Sequence, residues 1–162
     1  MQQRSTIYWW GSLVGWMVFF QFLAGLSSVV SVQGPWYTGL LKSSLTPPGY
    51  VFGIVWTFLY MFLAVYAWSI WQVYKVPVQD RVTLQGAFVV QMLLNFSWSS
   101  VFFLWEQVAW ALAMIAVMMG LTAYILYKSF QHRITTGYLL LPYFLWLGFA
   151  AYLTGTILWL NG

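Results

Sequence analysis

Charged side chains are scarce in this sequence. Only 5% of the 162 residues are Asp, Glu, Lys or Arg, whereas 62% are hydrophobic. A soluble domain carries about 25% charged residues, and so few charges cannot solvate a globular surface of this size. The composition therefore argues against a soluble domain and predicts an integral membrane protein whose surface faces a lipid bilayer.

Cysteine is absent altogether. Its absence excludes disulfides, thiol chemistry and thiolate metal sites. The formal net charge of +4 is spread thinly along the chain, whereas nucleic-acid binding needs a basic stripe. We therefore expect no nucleic-acid partner.

Titratable side chains are also missing from the interior of the apolar stretches. Asp80, Glu106, His132 and every Lys and Arg lie near the ends of these stretches or between them. Ionisable groups inside a membrane usually mark proton or ion pathways, so their absence argues against an ion pump or a proton-coupled transporter. It also leaves no acid–base pair and no carboxylate metal site. We interpret His132, beside Arg133, as a surface histidine rather than a haem or metal ligand.

Five apolar stretches are each long enough to cross a bilayer, which takes about 20 helical residues. They predict spans at approximately 7–31, 49–74, 82–105, 108–127 and 136–160. The stretches do not alternate and are about twice as long as a barrel strand. The sequence therefore predicts an all-α membrane protein, a single domain over residues 1–162 built as a bundle of five transmembrane helices.

The distribution of basic residues predicts the orientation. With five spans, the N-terminus and the second and fourth loops share one side, and five of the six basic residues lie there: Arg4, Lys75, Arg81, Lys128 and Arg133. The other side holds only Lys42. The positive-inside rule then puts the N-terminus inside and the C-terminus outside. No transit peptide is evident, so a bacterial membrane is the simpler expectation.

The connection between helices one and two, about residues 32–48, is the long one. It contains Trp36, Tyr37, Leu40 and Leu41. Long loops in compact bundles often form lids over binding sites. Because a solvated linker would not need a Trp-Tyr pair, we favour a packed lid.

Three tryptophans are predicted to lie deep in the outer half of the bundle, below this loop. At 1.5 Å per residue, Trp56 lies roughly 10 Å and Trp98 roughly 9 Å from the outer end of its helix. Trp146 lies roughly 15 Å from the inner end of its helix. If their rings turn inward, they line one aromatic pocket suited to a large, flat, apolar ligand. The alternative is ordinary packing of aromatic side chains in the core.

The polar residues inside the spans are neutral. Gln91, Asn95 and Ser99 recur every four residues and so share one face of helix three. Asn and Gln in membranes usually make hydrogen bonds between helices, and we favour that role for Gln91. For Asn95, a role in binding a ligand is an equal alternative.

Helix five combines a proline with aromatic and small residues on one face: Pro142, Tyr143, Trp146, Ala150 and Thr154. The proline is predicted to kink the helix or free the carbonyl of residue 138. Ala150 lies one turn from Trp146 and would leave space beside the large ring.

Small residues also form a continuous seam on helix four, at Ala109, Ala113, Ala116, Gly120 and Ala123. Helix one has a Gly11-x-x-x-Gly15 pair. Such seams allow helices to approach closely. Either seam can serve as a dimer face or as an internal packing face.

Three segments, in this order and spacing, resemble the tryptophan-rich sensory protein family, known in mitochondria as the translocator protein or peripheral-type benzodiazepine receptor. The first joins Trp36-Tyr37 to Thr46-Pro-Pro-Gly-Tyr-Val-Phe-Gly-Ile-Val-Trp56. The second is Gln91-Met-Leu-Leu-Asn95-Phe-Ser-Trp98-Ser and the third is Leu141-Pro-Tyr-Phe-Leu-Trp146-Leu-Gly-Phe-Ala150.

The resemblance implies a five-helix bundle, usually dimeric, with a pocket closed by the first loop. Family members bind porphyrins, haem-related tetrapyrroles, sterols and benzodiazepine-type drugs, and some bacterial members degrade protoporphyrin in light. By motif match, the pocket residues here are Tyr37, Pro47, Trp56, Asn95, Trp146 and Ala150. The photochemistry would use Trp56 and Trp146. We also include Trp98, because its depth matches that of the other two tryptophans, and Tyr143, because it shares a helix face with Trp146 and Ala150.

The expected function is therefore membrane binding of a porphyrin or haem, for sensing, transport or disposal, with no obligatory cofactor and no metal site. Light-dependent degradation of the porphyrin is a possible enzymatic activity. The alternative is a sterol- or lipid-binding transporter or a stress-response regulator. No Lys or Arg follows Tyr152, so the sterol motif of the mammalian relatives is absent.

Overall fold

The computed structural model describes residues 6–30, 34–72 and 76–162. These residues form six α-helices: α1 (Thr6–Val30), α2 (Pro35–Gly39), α3 (Gly49–Gln72), α4 (Val78–Ser99), α5 (Val108–Gln131) and α6 (Leu140–Asn161). A π-helical segment, Ser100–Leu104, continues α4, and a 3-10 segment, Thr135–Leu139, precedes α6. The described part of the chain contains no β-strand.

Five of the helical stretches are long and apolar enough to cross a membrane, and they correspond to the five predicted spans. Only the five-residue helix α2 is too short. The predicted class, an all-α membrane protein with five spanning helices, is therefore confirmed. The predicted span ends at residues 31 and 74 lie outside the described residues, and so do Arg4 and Lys75.

Two helices extend further than the sequence predicted. Helix α4 begins at Val78 rather than at residue 82. Pro77 lies at its N-cap and Asp80 in its first turn, where a carboxylate interacts favourably with the helix dipole. Helix α5 continues to Gln131 rather than ending at residue 127. Its extra turn carries Lys128, whose ammonium pairs with Asp80 at 2.8 Å.

The kink or freed carbonyl expected at Pro142 stays a prediction, and the structure places this residue at the start of α6. The 3-10 segment Thr135–Leu139 ends where α6 begins at Leu140, so Pro142 lies in the first turn of α6. At this position the missing N–H of proline removes no bond from the helix interior. The last span thus changes from 3-10 to α-helix two residues before Pro142.

Helices α1 and α3 meet through a connection that is itself partly folded. Residues 35–39 form α2, and residues 40–48 are irregular. Tyr37 of α2 is buried against Phe102 and Phe103, with ring centroids 6.0 and 5.4 Å apart. The side-chain amide of Asn161 pairs with both the N–H and the C=O of Leu41, each at 2.9 Å. The connection therefore packs against the π-helical segment that continues α4 and is hydrogen-bonded to the end of α6.

Helix α3 is the most buried span, and α1 packs on it while α5 packs on α6.

The two ends of the bundle differ in charge. We call the end with residues 34–48 the loop end. The opposite end, which carries Arg81, Lys128 and Arg133, is called the cationic end. There the hydroxyl groups of Tyr66 and Ser129 pair at 2.8 Å and those of Ser69 and Thr136 at 2.5 Å.

Candidate functional site: an aromatic cavity at the loop end

A cavity of about 470 Å³ lies in the half of the bundle next to the loop end. All five long helices and α2 contribute to its wall. Its size falls within the range of about 300–1,000 Å³ that is usual for small-molecule sites. The five spans therefore enclose a space large enough for an organic ligand.

Six of the eight predicted binding residues lie in the cavity wall: Tyr37, Trp56, Asn95, Trp98, Trp146 and Ala150. The structure thus brings together the three tryptophans that the depth argument placed in one half of the bundle. Pro47 and Tyr143 are not among the described residues of the wall. Thr46 and Gly49, on either side of the Pro-Pro pair, line it instead.

Tyr143 lies behind the wall rather than in it. Its side chain is 0% exposed, and its ring packs edge-on against Trp56 at 6.2 Å. The hydroxyl oxygen accepts a hydrogen bond from the amide of Asn95 at 2.9 Å and another from the amide of Gln91. Direct ligand contact by Tyr143 stays a prediction, and in the structure its side chain supports Trp56 and Asn95.

Asn95 has the interhelical role predicted for it, and its position at the cavity keeps ligand binding open as the alternative. Its side-chain oxygen accepts a hydrogen bond from the Tyr60 hydroxyl at 2.6 Å, and its nitrogen donates to Tyr143. The amide therefore joins α3, α4 and α6, and it also borders the cavity. Gln91 has the interhelical role expected of it through Tyr143. Together these residues form a polar floor under the cavity.

Trp98 borders the cavity, and its hydrogen-bond donor is already in use. Its indole N–H donates to the carbonyl oxygen of Ala111 on α5 at 3.0 Å. Its ring stacks on Phe102, with centroids 4.9 Å apart and planes 11° apart. This bond and this stacking fix the ring, so the wall is rigid here before any ligand binds.

The π-helical segment after α4 supplies two wall residues that sequence reasoning missed. The N–H of Trp105 bonds to the carbonyl of Ser100 at 2.9 Å, which gives the wider turn of a π-helix. Consecutive side chains of an α-helix point about 100° apart, yet Phe102 and Phe103 both border the cavity and both contact Tyr37. No pattern in the sequence predicts the wider turn.

Sequence reasoning also missed the wall residue Phe52, although the spacing between Phe52 and Trp56 indicated that they share a helix face. Phe52 precedes Trp56 by four residues, so both lie on one face of α3. In the structure the Phe52 ring contacts Trp146 at 5.8 Å, while the Trp56 ring contacts Tyr60 at 5.4 Å. The two candidate photochemical tryptophans therefore each pack against a further aromatic ring of the cavity wall.

The described wall of the cavity contains no Asp, Glu, Lys, Arg or His. Its polar side-chain groups are hydroxyls, the amide of Asn95 and the indole N–H groups of the tryptophans. Burial raises the pKa of the Tyr37 hydroxyl, so this group stays protonated and neutral. The part of the chain that the structure describes has no group of three His, Cys, Asp or Glu that could hold a metal ion. The arrangement suits a flat, apolar ligand held by ring contacts.

A five-span helical bundle with an uncharged aromatic cavity at one end defines the class of membrane protein to which this chain belongs. The sequence model of the TspO/MBR family matches residues 13–160. The chain therefore belongs to the TspO/MBR family, as its motifs suggested.

Named relatives come from all three domains of life. The human translocator protein is 32% identical over 114 residues, which cover 70% of this chain and 68% of that protein. The tryptophan-rich protein TspO of Archaeoglobus fulgidus is 33% identical over 141 residues, covering 86% of this chain and 88% of that protein. The tryptophan-rich sensory protein of Cereibacter sphaeroides is 29% identical over 136 residues, with coverages of 81% and 83%.

The polar floor gives a first prediction. Tyr143→Phe leaves the amide groups of Gln91 and Asn95 without the acceptor they share, and each unsatisfied buried donor costs about 1–3 kcal/mol. We expect a clear fall in the free energy of unfolding in detergent micelles. Tyr138→Phe is the control, because that ring is 60% exposed. Equal stability of the two variants would contradict the described network.

Proposed function

We propose that this protein binds a tetrapyrrole, a porphyrin or haem, in the aromatic cavity and acts in its sensing, transport or disposal. The observation that carries the proposal is the composition of the wall. Three tryptophans and several other rings surround a space of about 470 Å³ without a charged side chain in its described lining. Stacking on flat rings is favourable for a large conjugated ligand.

A sterol or another rigid lipid is the competing ligand, since an uncharged apolar wall accommodates it as well. A sterol and a porphyrin differ in the wall contacts that favour their binding. A sterol gains from apolar contact of any shape, whereas a planar macrocycle gains from ring faces such as those of Trp56 and Trp146. Competition between protoporphyrin and a sterol therefore distinguishes the proposed function from its alternative.

Titration of the purified protein with protoporphyrin or haem should quench tryptophan fluorescence and reach saturation. Ala150→Phe should weaken binding by about ten-fold or more, because overfilling a packed site costs about 1–3 kcal/mol. Val89→Phe is the matched control, because Val89 lies on α4 and is 45% exposed. Unchanged affinity of the Ala150 variant would place the ligand elsewhere. Displacement by a sterol but not by porphyrin would favour the lipid alternative.

We also propose that bound protoporphyrin is degraded in the presence of light and oxygen, with Trp56 or Trp146 as its redox partner. The supporting observation is that both indole rings border the cavity. Under illumination in air, Trp56→Phe and Trp146→Phe should each slow the loss of porphyrin absorbance. Trp110→Phe is the control, because that ring is 68% exposed and outside the described wall. Loss that proceeds equally in all variants would refute the catalytic role.

For the orientation, we propose that the cationic end faces the cytoplasm of a bacterial cell. Arg81, Lys128 and Arg133 lie at that end, and Lys42 lies at the other. The positive-inside rule then places the N-terminus inside and the C-terminus outside. Reporter domains fused to the two termini should become active on opposite sides of the membrane. Activity on the same side would contradict five spans.

A homodimer is the expected assembly, and we propose that a small-residue seam forms its interface. The small-residue seam of the fourth spanning helix lies on α5, and all five of its members are exposed: Ala109, Ala113, Ala116, Gly120 and Ala123. Gly11 and Gly15 of α1 are exposed as well. Because the chain has no cysteine, Ala116→Cys and Gly15→Cys each report one face by disulfide formation in membranes. The Val89→Cys variant is the control, and equal cross-linking at all three sites would refute a specific seam.

A further inference from the structure

The described cavity wall holds no cationic side chain to neutralise a negative charge, which constrains how a tetrapyrrole can enter. Porphyrins of the protoporphyrin type carry two propionate side chains on one edge of the ring. Burying an ionised carboxylate without a partner is much more costly than burying an apolar ring. The uncharged lining therefore suits the macrocycle but not its acidic edge, which must reach a cation or water.

Lys42 is the cation next to the cavity. Its ammonium lies 4.6 Å from the ring centroid of Tyr37, a wall residue. It donates hydrogen bonds to the carbonyl oxygens of Tyr37 at 2.6 Å and Leu40 at 2.9 Å. An ammonium has three donors, so these carbonyls leave one for a further acceptor. The position is half-buried, which strengthens a charge-assisted bond relative to one in open water.

Lys42 also has no competing acid among the described residues. The chain has two acidic side chains, Asp80 and Glu106. Asp80 pairs with Lys128 at 2.8 Å and approaches His132 at 3.4 Å, both at the cationic end. Glu106 is exposed in the turn after the π-helical segment, and no ion pair joins it to Lys42 in the described structure.

The remaining described basic residues are too far from the cavity to pair with a carboxylate bound there. Arg81 is 21 residues before the wall residue Phe102, which corresponds to roughly 30 Å along the helix. Lys128, in the last turn of α5, and Arg133, just after α5, lie at the same distant end. A carboxylate at the cavity therefore has one described cation within reach, and it is Lys42.

We infer that Lys42 is a carboxylate-binding subsite of the cavity, so that the tetrapyrrole enters with its apolar edge toward the polar floor and its propionates toward the loop end. The inference rests on the proposed tetrapyrrole binding and adds an orientation and a chemical preference to it. The preferred ligand is a flat acid rather than a neutral macrocycle. A charge-assisted hydrogen bond supplies the selectivity.

The test compares protoporphyrin IX with its dimethyl ester, which keeps the ring and removes both charges. Each is titrated against the wild type, Lys42→Met and Lys42→Arg by quenching of tryptophan fluorescence in nanodiscs. The wild type should bind the diacid more tightly than Lys42→Met does by about ten-fold or more, the factor expected for a bond to a charged group. Affinity for the ester should be nearly the same in all three proteins, and Lys42→Arg should retain the preference for the diacid.

The ratio of the two affinities is compared between variants, which cancels the different partitioning of acid and ester into lipid. If Lys42→Met weakens acid and ester equally, the lysine only holds the α1–α3 connection in place and the inference is wrong. It is also wrong if the acid-to-ester ratio is the same in the wild type and in both variants. Should Lys42→Met not fold, Lys42→Gln provides the same comparison. Absence of saturable binding of either compound to the wild type would refute the proposed function itself.

Discussion

The absence of water inside a bilayer is the constraint on which this structure depends. A polar side chain buried within a span is costly unless it finds a partner in another helix or in its own backbone. Tyr60, Asn95 and Tyr143 meet this requirement with two hydrogen bonds that join α3, α4 and α6. At the cationic end the Tyr66–Ser129 pair joins α3 to α5 in the same way. These bonds fix the rotation of each helix about its axis and so decide which aromatic faces turn inward.

The cavity exists because the residues above the polar floor cannot close on one another. Stiff rings such as Trp98, held by the carbonyl of Ala111 and stacked on Phe102, cannot bend into the space. Ala150 is too small to fill it. The α1–α3 connection lies across the loop end, where Asn161 fastens the backbone of Leu41. The site is therefore formed in advance, which reduces the cost of ordering side chains when a ligand binds.

The sequence predicted the spans well because length and apolar content alone decide whether a helix can cross a membrane. Depth along the helices also placed Trp56, Trp98 and Trp146 in one half of the bundle, and they line one cavity. Local patterns could not place the floor, because the Tyr60–Asn95 bond links residues 35 positions apart. For this reason the sequence predicts ligand contact by Tyr143 but not the buried hydrogen bond that this residue makes to Asn95. The π-helical turn that presents Phe102 and Phe103 has no local signature either.

The central claim is that the tetrapyrrole lies in the cavity between the rings of α3 and α6. The measurement that tests it most directly is an experimental structure of the protein with protoporphyrin bound in a lipid environment. The account predicts the macrocycle between Trp56 and Trp146, with Tyr37 at its loop-end edge and Asn95 beneath it. A macrocycle on the lipid-facing surface, with the cavity empty or filled by lipid, would contradict the account.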